Sequence, residues 1–129
     1  MSSTLDDPRV RSVLGEMHEG KAARARDYIA AAGLADLVDV HVGNALVTVR
    51  DVNAGVTLVF LDGWKEPYLP FLATVEHALL PGAFVVADDL DLFPDALRGY
   101  LAYVRDPAHG YVSVTLPVGD AMEISVRAR

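Results

Sequence analysis

Two apolar runs that close on acids constrain this chain more than any other feature. The first, "GVTLVFLD" (residues 55–62), is nearly continuous in Val, Leu and Phe and ends at Asp62; the second, "AFVVADD" (residues 83–89), ends at Asp88 and Asp89. Strands without polar alternation are the type buried on both faces of a parallel sheet. Between them, residues 67–80 carry Tyr68, Phe71, Leu72, Val75, Ala78 and Leu79 in a pattern that predicts a helix opened by Pro67 and ended by Pro81-Gly82.

The same alternation extends outward. "KAARARDYIAAAG" (residues 21–33) predicts a helix with Gly33 as its C-terminal cap, "LVDVHVGN" predicts a strand over 38–42, and a short helix is expected from Ala45 to Val52. "FPDALRGYLAYVRD" reads as a helix after Pro94, and "GYVSVTLPVGDAMEISVR" as two β-runs around Val118-Gly119-Asp120. In "DDPRVRSVLGEMHEG", Val10, Val13, Leu14 and Met17 fall at helical spacing, which predicts an N-terminal helix over 7–19, hinged at Gly20. Alternating helices and strands imply an α/β fold, mostly parallel with an antiparallel C-terminal hairpin. Asp62, Asp88 and Asp89 then fall at the carboxyl ends of strands, where open α/β sheets bind ligands.

Size and charge narrow the functions. With 129 residues, 52% of them hydrophobic, one domain over 1–129 is expected. No apolar window reaches the about 18 residues of a membrane span, and the N-terminus lacks a secretion-signal layout, so a cytoplasmic protein is expected. A net charge of -7, with no cluster among the 11 basic residues, argues against a nucleic-acid surface. The absence of cysteine excludes disulfides, thiolate metal sites and thiol nucleophiles, so a metal here would be a hard cation on oxygen or imidazole ligands.

Asp62, Asp88 and Asp89 form a candidate set for one divalent cation, magnesium or calcium, which prefers several oxygen ligands. By spacing alone, acids after strands read more readily as turn formers and helix caps. Lys65 is a candidate general base if burial and a nearby cation lower its pKa, and otherwise a surface charge. Trp64 offers a face to a heteroaromatic ligand or packs. The four histidines show no ligand spacing, and the chain has no Ser-His-Asp pattern, P-loop or G-x-G-x-x-G.

Taken in order, "GLADLVDVHVGNAL", "LVFLDGWKEPYLPFL", "LLPGAFVVADDL" and "VSVTLPVGDAMEISVR" resemble the cation-dependent, S-adenosylmethionine-dependent O-methyltransferases of the catechol and caffeoyl-CoA type. The resemblance covers roughly residues 20–129 and implies a partial Rossmann-like class I methyltransferase sheet. It implies that Asp62, Asp88 and Asp89 hold the metal, that Lys65 deprotonates the hydroxyl of a small-molecule substrate, and that Trp64 contacts adenine. Asn44 stands where the family commonly carries an aspartate near the adenine, and Asp89 where it usually has asparagine. Glu16 matches the ribose-binding acid by its spacing to the following helix, although the helical periodicity of residues 10–17 opposes a strand there.

Before residue 20 the family has a first strand and a glycine-rich loop gripping the methionine end of the cofactor, and that unit is not expected in this chain. Without that strand, the "VTLVF" strand is left with an apolar edge that invites another chain. The edge is expected to be covered by the 38–42 strand, the N-terminal helix or a second copy, which makes a homodimer the expected assembly. The rival expectation is a non-catalytic remnant or an engineered deletion acting as a dimeric scaffold.

Overall fold

The computed structural model describes residues 11–53 and 55–128. The chain divides into two compact units, Met1–Asp51 and Val52–Arg129. Among the described residues no helix is long and apolar enough to cross a membrane.

In the first unit, β1 (Ser12–Glu16), α1 (Glu19–Ala31), β2 (Val38–Val42) and the short α2 (Ala45–Thr48) follow one another. β1 and β2 pair in parallel, Ser12 against Val38 through Glu16 against Val42. This corrects the expected N-terminal helix: residues 12–16 are a strand, and residues 7–10 lie outside the described residues. A short apolar run such as Val13-Leu14 fits either period, and parallel pairing with a segment 26 positions away decides for the strand. Gly20 is no hinge, since it sits in the first turn of α1. At the other end of α1, Gly33 has φ +75, and the Gly33 and Leu34 amides donate to the Ala30 and Ile29 carbonyls at 3.0 Å each. That is a Schellman motif, and it needs a residue that tolerates the left-handed region.

In the second unit, β3 (Val56–Leu61), α3 (Tyr68–Val75), β4 (Leu79–Ala87), α4 (Pro94–Arg105), β5 (Tyr111–Leu116) and β6 (Met122–Arg127) build a four-stranded sheet in the order β3-β4-β6-β5. β3 and β4 are parallel, while β6 runs antiparallel to both β4 and β5. The α/β class, the parallel pairing and the antiparallel C-terminal hairpin thus follow the pattern read from the sequence. α3 stops at Val75 rather than near residue 80, and β4 already runs from Leu79 through Pro81-Gly82. The register with β3 slips there, from Val56 opposite Leu79 to Leu58 opposite Phe84, so the proline lies in an irregular stretch.

One face of this sheet is covered. Val59, Leu61, Val85, Ala87, Tyr111, Glu123 and Ser125 are buried, as are Leu72 and Val75 of α3 and Leu97, Tyr100 and Val104 of α4. β2 pairs with β1 in a two-stranded sheet of its own, and residues 12–16 of the N-terminal helix offered as a cover are a strand. Among the described residues β3 is an edge strand of its sheet.

Candidate functional site

β3 and β4 run side by side in register, Leu61 opposite Ala87, so the residues that follow them emerge together. The Asp88 amide donates to the Leu61 carbonyl at 3.0 Å, which ties the two strand ends. Asp62, Asp88 and Asp89 each present a carboxylate oxygen within 4.8 Å of the others. Asp89 has φ 62, a left-handed conformation that Asp and Asn tolerate best among residues with a side chain. The Asp88 carboxylate supports that bend by accepting the Asp89 amide at 2.8 Å.

Three acids this close disfavour one another's charge. Partial burial, then the negative charges of Asp89 and Asp88, push Asp62 above the usual carboxylate range. Asp89 is held below that range, chiefly because Lys65 Nζ donates to its Oδ2 at 2.8 Å. The donor set is all oxygen and all anionic, which is the chemistry a hard divalent cation takes.

Lys65 is not a surface charge: its side chain is 5% exposed. Nζ donates to the Tyr68 hydroxyl at 2.8 Å, and that hydroxyl donates to the Leu61 carbonyl at 2.9 Å and accepts from the Gly63 amide at 3.2 Å. Burial alone would lower the ammonium's pKa, but the bonds to Asp89 and Tyr68 outweigh it and hold the pKa above the ordinary lysine value. Tyr68, buried beneath the loop and edge-on to Tyr100, fixes Nζ against the strand end. Sequence reasoning placed Tyr68 only on an apolar helix face. Its offset of three from Lys65 across the start of α3 was the available signal.

The remaining candidates separate. Trp64 is exposed in the loop between β3 and α3. Glu16 and Asn44 belong to the first unit, at the ends of its two parallel strands, where the Gly43 amide donates to the Glu16 carbonyl oxygen at 2.9 Å. The Glu16 side chain accepts the His18 amide at 2.8 Å, which holds its carboxyl below the usual range. Asn44 caps α2 by accepting the Leu46 amide at 2.9 Å, which leaves its Nδ2 as a donor.

A family model described as a methyltransferase domain matches residues 3–90, more than half of the chain. The chain belongs to this methyltransferase family. It is similar to catechol O-methyltransferase of Sus scrofa, with 35% identity over an alignment of 106 residues that covers 76% of this chain and 55% of that protein. Among solved structures, cofactor-bound Rv0187 from MTB shares 27% identity at a TM-score of 0.81, covering 95% of this chain and 64% of that one. The O-methyltransferase TomG from Streptomyces achromogenes, solved in complex with SAM, shares 24% identity at a TM-score of 0.76, over 92% of this chain and 62% of that one. The methyltransferase chain described here therefore spans between 55% and 64% of the length of these relatives. The mixed sheet with its antiparallel end is the Rossmann-like methyltransferase arrangement of these neighbours.

Proposed function

We propose that this methyltransferase transfers a methyl group from S-adenosylmethionine to a hydroxyl of a small molecule, with a divalent cation, magnesium or calcium, held by Asp62, Asp88 and Asp89. The observation that carries the reading is the convergence of these carboxylates within 4.8 Å at two parallel strand ends, with a buried lysine bonded to one of them. A cation at these oxygens supplies Lewis acidity toward the acceptor hydroxyl and a local positive charge that favours the neutral amine of Lys65.

Lys65 takes the hydroxyl proton at Nζ, the acceptor oxygen forms its bond to the methyl carbon, and the sulfonium carbon–sulfur bond breaks in line. Tyr68 keeps Nζ on the strand-end side of the loop through its own bond to the Leu61 carbonyl. Glu16 offers a carboxylate acceptor to the ribose diol, Asn44 an amide donor to the adenine, and Trp64 an aromatic face. Asp89, where the family usually has asparagine, keeps an oxygen ligand and adds a negative charge, which a hard divalent ion accepts.

Calorimetric titration with magnesium tests the carboxylate set. The wild-type chain is expected to bind, and Asp62→Ala combined with Asp88→Ala is expected to abolish the signal while leaving the far-UV circular dichroism unchanged. Equal heats from the two proteins would refute the site.

A further inference from the structure

Tyr100, in the middle of α4, is 1% exposed, and among the described residues its hydroxyl has no hydrogen-bond partner. An unpaired buried hydroxyl costs its full desolvation penalty, so such a donor is expected to find an unclaimed acceptor close by. Tyr68 cannot be that acceptor, although its ring meets the Tyr100 ring edge-on with centroids 5.8 Å apart. Its hydroxyl already donates to the Leu61 carbonyl and accepts from Lys65 Nζ and the Gly63 amide. The other polar neighbours of Tyr100 are Glu123 and Ser125 of β6. Glu123 is full as well, taken by Arg105 Nε and Nη2, Ser113 Oγ and Thr115 Oγ1. Because Ser113 gives its proton to Glu123, Ser125 is the donor in the 2.8 Å contact between the two serine hydroxyls. That leaves the Ser125 oxygen with lone pairs that no donor among the described residues claims.

We propose that Tyr100 donates to Ser125 Oγ, and that this anchor makes Tyr100 a positioning residue for Lys65, acting through the ring of Tyr68. The hydroxyls then run one way, from Tyr100 to Ser125 to Ser113 to the Glu123 carboxylate, which Arg105 holds from outside. Burial, then the negative charge of Glu123, push the Tyr100 hydroxyl above its ordinary pKa, with Ser125 offsetting part of the push, so it stays a protonated donor. The anchor ties α4 to β6 and, through Ser113, to β5. An edge-to-face ring pair has a directional preference, so a Tyr100 that cannot swing keeps Tyr68, and with it Nζ, against the end of β3. The proposal rests on the reading of Lys65 as the base, and it extends that site inward to groups that touch neither substrate nor cofactor.

Amine acetylation of the native chain, read lysine by lysine by mass spectrometry, tests this without turnover, with the exposed Lys21 as the internal reference for the buried Lys65. Tyr100→Phe and Ser125→Ala are each expected to raise the labelling of Lys65 relative to Lys21 at least about threefold, within the worth of one net hydrogen bond. The double variant is expected to match the single ones, because both remove the same bond. Tyr100→Leu, which also removes the ring edge, is expected to raise the ratio at least about tenfold. Val104→Ala, fully buried one turn further along α4, is the control: it destabilises the fold and is expected to leave the ratio unchanged. An unchanged ratio in Tyr100→Phe, or effects of Tyr100→Phe and Ser125→Ala that multiply, overturns the proposal. A rise in Val104→Ala equal to that in Tyr100→Phe also overturns it, since Tyr100 would then act by packing alone. Turnover tests the base separately: the expected labelling in a chain that transfers no methyl group would support the anchor and overturn the role given to Lys65.

Discussion

Lys65→Met is expected to lower the rate of methyl transfer by about 10²–10⁴-fold, the usual contribution of a positioned general base. Methionine fills nearly the same volume but accepts no proton, and it releases Asp89 and Tyr68 from their bonds to Nζ. The pH profile distinguishes loss of a base from loss of packing. Asp89 and Tyr68 hold the lysine's pKa above its ordinary value in the resting chain, so the neutral amine is scarce near neutrality. The wild-type rate should therefore climb from about pH 7 to 9, and the variant should lose that climb. A variant that retains the slope would show that another group takes the proton.

Glu123→Ala is expected to cost about 3 kcal/mol of unfolding free energy, read by urea denaturation at neutral pH. Glu123 is fully buried and accepts from Arg105 Nε and Nη2 at 2.9 Å each, from Ser113 Oγ at 2.7 Å and from Thr115 Oγ1 at 2.6 Å. Removing the carboxylate strands these donors beneath α4 and leaves a cavity. Arg105 is 47% exposed and turns to water, which keeps the loss below that of a fully buried pair. Burial pushes the Glu123 carboxyl up, but the bonds from Arg105, Thr115 and Ser113 outweigh it and hold its pKa below the ordinary 4.5. A depressed folded-state pKa stabilises the fold above the unfolded value, and that stabilisation is lost as the pH falls through the folded one. The gap between wild type and variant should narrow in acid, below about pH 4; a gap independent of pH would assign the loss to packing alone.

The strand-end acids were legible because continuous apolar runs announce buried parallel strands, and an acid that closes such a run must lie at a strand mouth. β1 was misread because Val13, Leu14 and Met17 satisfy a helical period, and the partner that makes residues 12–16 a strand lies beyond the reach of local pattern. The correction puts Glu16 at a strand end, where its likeness to the family's ribose-binding acid had placed it. Glu123 gave no signal, since an acid alternating with Met122, Ile124 and Val126 reads as the solvent side. Only the fold, which brings Arg105 within 2.9 Å, turns that side inward. Tyr68 was visible as an apolar helical position but not as the hydroxyl that fixes Lys65, because the Leu61 carbonyl it binds depends on where β3 ends.

The measurement that bears most directly on the account is turnover: the purified chain with S-adenosylmethionine, magnesium and catechol, followed by mass spectrometry of S-adenosylhomocysteine and methylated product. The account predicts both products in equal amounts, suppressed by a chelator and restored by added magnesium. Product formation unaffected by the chelator, or none at any magnesium concentration, would contradict it.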